Sequence, residues 1–445
     1  MSFPAFVRSL AGNAARLADK ARLAEKGQHA YTDQHTDKGQ LANTDQHTDK
    51  GQLANTDQLT LVLGNESGDL DSMASAIGLA FVLTSATRAA IPVINIARAD
   101  LALRPDCELL LRTALAGLGA STADLTFADD VDWARLGERG AAVWLADHNA
   151  PAARQSALEP LVRGIVDHHA DEARCSRADP RQIDAVGSCA TLVAERVRAA
   201  GAAHPALAVL LLAPILVDTA NLDPAAGRAT DRDRAQARWL EPQVAWAESG
   251  TESGTDALTD SGTDALSDEP LLRVHSPAQL YRTLDRLKGQ VAHLPPRDLL
   301  RKDYKQWAVG ARAVGISSVS WRLRKWLKRD SRAQVEAAAQ RWAAEQRLDV
   351  LLVMTHGKVR EHKGADKTYG RDLAVAFAPH VDREWRRLVL DGLARADALD
   401  LHPFFGPESA AADGPVSFFA QRRIHASRKQ VFPAVKAVID AIAAH

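Results

Sequence analysis

The chain has 445 residues, of which 46% are hydrophobic and 25% are charged, and this predicts a globular protein with two or three domains. Its formal net charge of -1 excludes a global basic field that would gather nucleic acid or anionic lipid, so any anion-binding site must be local. The three cysteines, Cys107, Cys175 and Cys189, are too scattered for a disulfide framework and favour a reducing compartment, which we take to be the cytoplasm.

The first 27 residues predict an amphipathic helix that docks on the following domain. Six apolar side chains fall on one helical face: Phe3, Phe6, Val7, Leu10, Ala14 and Leu17. Arg8, Arg16 and the lack of an acid before Asp19 also resemble a transit peptide, but the docked helix is preferred. No apolar run reaches the ~20 residues that a membrane-spanning helix needs, so we expect no membrane association.

Two repeated segments interrupt the chain. The unit "QHTDKGQLANTD" occurs twice in residues 34–57, and "SGTDALTD" is followed by "SGTDALSD" in residues 253–268. Both segments are polar and contain few large apolar residues, which predicts disorder. We therefore divide the chain into five parts: an N-terminal helix at 1–27, an insertion at 28–58, a first domain at 59–248, a linker at 249–270 and a second domain at 271–445.

Short apolar strands alternate with helical patterns in the first domain. Strands are predicted at 59–64, 91–97, 141–149 and 164–169, with a helix from Ser72 to about Ser85 after the first of them. This α/β alternation is typical of a mostly parallel sheet flanked by helices. Segments after the linker predict a smaller α+β domain that is rich in lysine and arginine: 299–307, 314–321 and 348–355.

Four apolar segments of the first domain end in acidic or imidazole side chains. The clusters are Asp69 with Asp71, Asp147 with His148, Asp167 with His168 and His169, and Asp218. Because ligands bind beyond the carboxyl ends of parallel strands, we expect the clusters to meet at one edge of the sheet. Buried carboxylates need a partner charge, and few basic residues lie near these segment ends. Carboxylates with imidazoles suit Mg²⁺ or Mn²⁺, with Co²⁺ as a further option, and argue against structural zinc.

Each motif alone also has an ordinary structural explanation. An Asp-x-Asp pair is common in turns and helix caps, where Ser72 could serve as the N-cap. An Asp-His-His run could be a surface loop. Their joint placement at the ends of successive buried segments favours a metal site. Two cations bridged by a shared carboxylate can activate a water for in-line attack on phosphorus.

The motifs "GNESGDLDS", "DHN", "VDHH" and "LVDT" resemble, in this order, those of the DHH phosphoesterase superfamily. Within it the chain is most similar to the fungal-type exopolyphosphatases, with Prune proteins and family II inorganic pyrophosphatases as relatives. The likeness extends to "PVINIARADLALRPD", "GSCATLV", "LLRKDYKQW" and "SRKQVFP". It implies an N-terminal DHH domain that binds metal ions, a C-terminal DHHA2 domain that binds phosphate, and an active site in the cleft between them.

The resemblance also implies two metal-binding positions. Asp69 and Asp147 would bind one ion. The other would be bound by Asp71, Asp147, His168 and Asp218, with Asp147 as the bridge. Three of the site residues are assigned to catalysis: Asp147, Asp218 and His169. Of these, His169 would contact the substrate phosphate and protonate the leaving phosphate.

For substrate binding, the resemblance points to Lys305 in "KDYK" and to Arg428 and Lys429 in "SRKQ". Asn65 stands where the pyrophosphatases have a histidine ligand. Its harder amide oxygen should move metal preference from Mn²⁺ toward Mg²⁺, which argues for a polyphosphatase. Further candidates for contact with the substrate or its surroundings are Arg98, Arg104 and His148. Ser188 is a candidate for support behind the metal ligands. A third group either lines a channel for a polyanion or forms a surface loop: His356, His362 and Lys363.

We therefore predict a metal-dependent exopolyphosphatase that cleaves terminal phosphate from linear polyphosphate and is a cytoplasmic monomer. The alternatives are an inorganic pyrophosphatase, a Prune-like enzyme acting on short polyphosphates or cyclic nucleotides, and an inactive polyphosphate-binding scaffold. The filled ligand positions argue against the scaffold. The basic run "RLRKWLKR" at 322–329 is interpreted as a solvated helix face, so nucleic acid is not expected as a partner.

Overall fold

The computed structural model describes residues 1–13, 59–85, 88–138, 140–247, 274–360, 367–406 and 414–444. The two repeats, the insertion and linker predicted around them, and the candidates His362 and Lys363 lie outside these ranges. The described residues form two sheets of six strands each. None of the helices in these ranges combines the length and the apolar character that crossing a bilayer requires.

The first sheet is entirely parallel, which confirms the predicted sheet type. Its spatial order is β3-β2-β1-β4-β5-β6. The strands are β1 Thr60–Leu63, β2 Ala90–Ile94, β3 Thr126–Phe127, β4 Ala142–Ala146, β5 Val162–Asp167 and β6 Arg181–Ile183. Every residue of β1, β2 and β4 is buried, which explains why these strands are continuously apolar rather than alternating.

α-Helices cover one face of this sheet. They are α1 Phe3–Ser9, α2 Leu70–Leu83, α3 Pro105–Ala116, α4 Cys189–Ala199, α5 Pro205–Asp218, α6 Asp231–Leu240 and α7 Pro277–Lys288. Their apolar sides form one core cluster with the strands. The opposite face packs against residues from short 3-10 helices at Trp133–Arg135 and Ala153–Leu161 and their flanks.

The first turns of the chain belong to this core. Phe3, Phe6 and Val7 of α1 are buried in the main cluster. The ring centroids of Phe3 and Phe6 lie 5.2 and 5.6 Å from that of Phe81 in α2. The α-helix ends at Ser9 and a 3-10 turn continues to Gly12, whereas the rest of the predicted helix lies outside the described residues.

The second sheet is mixed, which confirms the predicted α+β class. Its order is β11-β12-β10-β9-β8-β7, and only the β8–β9 pair among these neighbours is parallel. The strands are β7 Tyr304–Val309, β8 Arg312–Val319, β9 Val350–Arg360, β10 Lys367–Phe377, β11 Leu401–Pro403 and β12 Val416–Gln421. The helices are α8 Pro296–Lys302, α9 Leu323–Arg329, α10 Arg332–Glu345, α11 Arg383–Ala394 and α12 Arg428–Ala443.

The strand order of the first sheet defines where a ligand would bind. The central strand β1 pairs with β2 on one side and with β4 on the other. The chain therefore leaves β1 and β4 in opposite directions across the sheet, and a crevice forms at this switch point beyond their carboxyl ends. Asn65 and Asp147 follow these two strands and flank the crevice.

Candidate active site

The loop after β1 places two aspartates at the start of α2. Asp69 is the N-cap of this helix, because its carboxylate accepts a hydrogen bond from the N–H of Ser72 at 3.1 Å. The cap is therefore Asp69 and not Ser72. Asp71 is buried in the first turn, and its oxygens accept the N–H groups of Cys189 and Ala190 at 2.6 and 2.8 Å. The N-termini of α2 and α4 thus meet at Asp71.

Asn65 orients Asp147 across the crevice. Its amide oxygen accepts the N–H groups of Ser67 and Gly68 at 2.9 and 3.2 Å, and its amide nitrogen donates to Asp147 Oδ2 at 2.5 Å. The two backbone donors fix this orientation of the amide. Gly68 has a φ of +52°, and a Cβ there would lie 2.5 Å from Ile96 Cγ2, so the turn requires glycine. Asn65 therefore holds a carboxylate, instead of presenting the metal-facing amide oxygen expected from the sequence.

Asp147 lies at the centre of the site, directly after β4. Its φ of 65° is in the left-handed region that non-glycine residues rarely adopt, and its N–H donates to Val166 O at 2.9 Å. Its Oδ1 lies 3.3 Å from His168 Nε2 and 3.6 Å from His169 Nδ1, yet it has no hydrogen bond of good geometry. A buried carboxylate oxygen without a hydrogen bond is costly, so this atom fits a cation.

His168 has the tautomer of a metal ligand. Its Nδ1 lies 3.1 Å from the carbonyl oxygen of Val186, which can only accept, so Nδ1 carries the proton. Its Nε2 faces Asp147 and lies 3.7 Å from Asp71 Oδ2. Although burial opposes it, the neighbouring carboxylates of Asp147 and Asp71 raise the pKa of His168 to about 9. The surroundings of this nitrogen therefore favour positive charge.

His169 is held by Asp167, the residue that ends β5. Its Nδ1 donates to Asp167 Oδ1 at 2.8 Å, and Asn149 donates to the other oxygen at 2.6 Å. Burial opposes ionisation of Asp167, but the hydrogen bonds from His169 and Asn149 hold the pKa of Asp167 well below its usual range. Burial and the charge of Lys305 lower the pKa of His169 to about 3. Asp167 therefore orients a neutral imidazole.

The donor set fits a divalent cation. Asp147, His168 and His169 each offer one ligand atom, and these atoms lie within 4.8 Å of one another. Burial, together with the charge of Asp71, raises the pKa of Asp147 well above its usual value. The same two causes raise the pKa of Asp218, at the end of α5, to about 7. Clustered carboxylates that destabilise one another are stabilised by a cation between them.

The second domain brings positive charge to this cluster. Lys305 lies on β7, and its charge lowers the pKa of His169, while that of Lys429 acts to lower the pKa of His168. Arg428 Nη2 donates to Asp303 Oδ1 at 2.5 Å and to the Asp303 carbonyl oxygen at 2.9 Å. The charges of Lys305 and Lys429 therefore act on the two histidines of the acidic cluster, and Arg428 is held by Asp303, two residues before Lys305.

Comparisons with known proteins agree with this architecture. Residues 60–215 match the DHH family, N-terminal domain, and residues 282–438 match the DHHA2 domain. A Schizosaccharomyces pombe protein named "Putative exopolyphosphatase" is 31% identical over 311 residues, covering 66% of this chain and 71% of that protein. The chain belongs to the DHH phosphoesterase superfamily. It is therefore an enzyme, and the predicted family and order of the DHH and DHHA2 domains are confirmed.

Two further relatives extend the comparison. Exopolyphosphatase PRUNE1 of Rattus norvegicus is 29% identical over 397 residues, covering 86% of this chain and 76% of that protein. A Methanococcus jannaschii protein described as a "putative family II inorganic pyrophosphatase" superposes with a TM-score of 0.57 at 18% identity, covering 86% of this chain and 100% of that chain. At this identity the superposition supports the DHH fold and nothing more specific.

Two predicted substrate contacts have different surroundings in the DHH domain. The Arg98 guanidinium donates to Asp130 and to three carbonyl oxygens of its own domain, and stacks 4.5 Å from the Phe127 ring. These contacts give Arg98 a packing role away from the acidic cluster. His148 contacts the Ala146 carbonyl oxygen through Nδ1, while its buried Nε2 has no hydrogen-bond partner. Burial lowers the pKa of His148 to about 4, so a neutral ring faces the Lys305 side of the cleft.

The remaining candidates also have defined places. Ser188 is buried directly before α4, whose first amides bind Asp71. Arg104 is buried and donates to the carbonyl oxygens of Ser67 and Lys302. His356 lies on β9 opposite Arg371, and burial and the charge of Arg371 lower its pKa to about 3.

Sequence reasoning missed two residues of this site and left a third without a role. Asp167 was placed in the cluster that follows its strand, but its support of His169 was not predicted. Lys288 ends α7, and the carboxylates of Asp218 and Asp69 raise its pKa against the effect of burial. In the sequence Lys288 reads as an ordinary cation at a helix C-terminus. Glu66 accepts the N–H of Gln306 at 2.9 Å, a contact between domains that no local pattern predicts.

Proposed function

We propose that this enzyme is a divalent-metal-dependent exopolyphosphatase that releases the terminal phosphate of linear inorganic polyphosphate. The observation that carries the proposal is the arrangement of opposite charges in one cleft. Asp71, Asp147 and His168 of the DHH domain lie beside Lys305 and Lys429 of the DHHA2 domain. The names of the relatives support polyphosphate as the substrate.

The acidic cluster would hold two cations. Asp69 and Asp147 would bind one, and the other would take the set Asp71, Asp147, His168 and Asp218. When bound, these ions would supply a nucleophilic water and neutralise charge on the phosphate. Asn65 fixes the Asp147 carboxylate and the Val186 carbonyl fixes the His168 ring, so the ligands are oriented in advance.

His169 would donate a proton to the leaving phosphate. Its Nδ1–H is held by Asp167, so Nε2 is the atom available to the substrate. The ring is neutral in the free enzyme, because burial and Lys305 lower its pKa to about 3. A bound polyanion raises the pKa of a nearby histidine, so substrate would favour the imidazolium that donates to the leaving oxygen.

The DHHA2 domain would grip the phosphate chain. Arg428 begins α12, whose N-cap is Ser427, so two cations, Arg428 and Lys429, lie at the positive end of one helix dipole. Arg428 is preoriented by Asp303, and the charge and hydrogen bond of Arg428 lower the pKa of Asp303 to about 2 although burial opposes this. Lys305 would bind on the β7 side. These cations would stabilise the charge that develops on the transferred phosphate.

The proposal is tested by measuring phosphate release from long-chain polyphosphate, pyrophosphate and cyclic AMP, each with Mg²⁺. We expect kcat/KM to be largest for polyphosphate. Pyrophosphate turnover far above that of polyphosphate would instead assign a pyrophosphatase, and cyclic AMP turnover would assign a Prune-like phosphodiesterase. Polyphosphate binding without release of phosphate would assign a scaffold.

Metal dependence is a separate arm of the same test. Removal of divalent ions with a chelator should abolish phosphate release, and Mg²⁺ should restore it. We propose Mg²⁺ as the preferred ion, with Mn²⁺ and Co²⁺ also supporting turnover. The reason is that position 65 has an asparagine in place of a histidine ligand, and most of the proposed metal ligands are carboxylate oxygens. Undiminished activity after chelation would contradict the metal assignment. The cytoplasmic location and the monomeric state stay predictions, and light scattering would measure the latter.

A further inference from the structure

Three contacts join the metal-binding side of the DHH domain to the phosphate-binding side of the DHHA2 domain. Glu66 Oε1 accepts the N–H of Gln306 at 2.9 Å. Arg104 donates to the carbonyl oxygens of Ser67 and Lys302. Arg301 forms an ion pair with Asp100. On the DHHA2 side, all the contacted residues lie within the short stretch 301–306.

The DHH side of these contacts is the loop that carries the ligands. Glu66 and Ser67 lie between Asn65, which orients Asp147, and Asp69, which caps α2. The Asn65 side chain holds the loop from inside through the N–H groups of Ser67 and Gly68. Glu66 and the Ser67 carbonyl hold it from outside, against the other domain. A shift of this loop therefore moves the carboxylates of the metal site.

The DHHA2 side is the segment that carries the phosphate grip. Lys305 lies between Lys302 and Gln306, and Asp303 of the same stretch binds Arg428. Strand β7 is the edge of its sheet and pairs only with β8 there. Its free edge faces the DHH domain, and the Glu66 carboxylate accepts an amide on that edge. The same contact thus constrains the backbone directly after Lys305.

Burial argues that these contacts have a role. Arg104 is 3% exposed, and among the described residues its guanidinium donates to three carbonyl oxygens, those of Ser67, Asp100 and Lys302. Burial lowers the pKa of Arg104 although the nearby carboxylates of Asp100, Asp303 and Asp106 oppose this, so desolvation offsets much of the stability that its contacts contribute. Burial also raises the pKa of Glu66, against the charge of Arg154, which lies 3.8 Å away. Because Arg104 and Glu66 contribute little to stability, we infer that they serve to position the segments that they contact.

We propose that Glu66 and Arg104 are positioning residues that hold the metal-binding loop, residues 65–69, against the phosphate-binding stretch 302–306. Among the described residues, neither side chain has a hydrogen bond or ion pair with a side chain of the acidic cluster. They set the distance between the ligands of the attacking group and the cations that hold the phosphate. The inference rests on the proposed function of the cleft, since it concerns how the two halves of that site are aligned.

The first test compares Glu66→Ala with Glu66→Gln. A misplacement of about 1 Å can lower a rate by roughly 100-fold, so we expect kcat of Glu66→Ala to fall by about 10- to 100-fold with a small change in KM. The glutamine keeps an oxygen that accepts the Gln306 N–H and should restore most of kcat. Glu159→Ala is the matched control, because Glu159 also accepts a backbone N–H, that of Cys175, and pairs with an arginine, Arg174.

The second test concerns Arg104 and uses Arg104→Met. The matched control is Arg386→Met, since the half-buried Arg386 guanidinium also donates to carbonyl oxygens, those of Val381, Ala378 and Pro379, but makes these contacts within the DHHA2 domain. We expect loss of kcat in the first variant only. If Arg104→Met does not fold, as judged by circular dichroism, the Glu66 pair decides the question alone.

A measurement independent of turnover completes the design. Hydrogen exchange of the peptide that contains Gln306 should be faster in Glu66→Ala than in the wild type, and unchanged in Glu66→Gln and Glu159→Ala. Unchanged kcat in Glu66→Ala, or reduced kcat without faster exchange at Gln306, would overturn the inference. Kinetics use whichever of polyphosphate or pyrophosphate the wild type hydrolyses, so a wild type inactive on polyphosphate contradicts the proposed function and leaves this inference testable.

Discussion

The two domains contribute opposite charge to one cleft, and they do so with different kinds of structure. In the DHH domain the carboxylates follow buried strands and helices, close enough to raise one another's pKa. In the DHHA2 domain the cations lie at a sheet edge and at a helix N-terminus. The acidic half is a preformed cage that favours a cation. The basic half is an open surface that favours an anion, and only the two together suit a metal-bound phosphate chain.

Removal of Asp147, whose carboxylate is proposed to bridge the two cations, would break this comparison most severely. For Asp147→Asn we expect kcat to fall by at least about 1000-fold, because the amide is neutral and cannot replace a shared anionic ligand. Phosphate release and metal titration by calorimetry would measure the loss. Asp184→Asn is the control, since Asp184 also follows a strand of the same sheet but pairs with Arg232. Activity of Asp147→Asn near that of the control would remove the bridging role.

The basic half is tested by Arg428→Ala. A charge-assisted hydrogen bond contributes about 1.5–3 kcal/mol, so kcat/KM for polyphosphate should fall by roughly 10- to 100-fold while the midpoint of metal titration stays in place. Lys436→Ala, two turns later on α12 and paired with Asp440, should match the wild type. A shift in metal affinity without a change in KM would show that Arg428 serves the acidic half instead.

Asp167→Asn sharpens the comparison within the DHH domain. Asp167 is not assigned as a ligand, yet its carboxylate orients His169. Loss of such a supporting group typically lowers activity by about 10- to 100-fold. The variant also removes an anion that raises the pKa of His169. The decline of kcat that accompanies loss of the imidazolium proton should therefore occur at a lower pH than in the wild type, in addition to the fall in the maximum of kcat. An unchanged profile would contradict a proton-transfer role for His169.

Phe6→Ala should affect stability without affecting the chemistry. Phe6 is 1% exposed in the DHH core, and truncation of a buried phenylalanine costs about 3–5 kcal/mol of unfolding free energy. Thermal denaturation should show a lower midpoint, while kcat and KM measured well below it stay at wild-type values. Arg8→Ala, at an exposed position of the same helix, is the control. A stable Phe6→Ala protein would mean that α1 is dispensable for the core.

Much of the fold was readable from the sequence because its signals are local. The apolar runs of β1 and β4, each followed by a polar cluster, indicated a parallel sheet with ligands at its edge. The order of the strands could not be predicted, since nothing in the sequences of β1 and β4 indicates which strands they pair with. The opposite face of the sheet is covered by 3-10 helices such as Ala153–Leu161, whose pattern is too short to stand out.

The site divides in the same way. Residues such as Asp147 and His168 were predicted because motif and strand-end position coincide. Orientation was not predictable: Asn65 was expected to face a metal ion, but backbone donors turn its amide oxygen into the loop. Arg98 and Arg104 look alike in the sequence, yet one packs within its own domain and the other bridges two domains. Contacts between distant segments decide these cases.

The hydrogen bond from Asn65 to Asp147 joins residues 82 positions apart in the chain. One edge of the central strand β1 likewise stays unpaired until β4, which lies far along the chain, pairs with it. Sheets assembled from such distant segments fold slowly, because the entropy of closing long loops precedes the stabilising contacts. During synthesis, β1 therefore has an open edge until β4 has emerged, and a chain arrested before Ala142 would expose an apolar strand prone to aggregation. Because Asp147 directly follows β4, its carboxylate reaches Asn65 only when β4 has paired with β1.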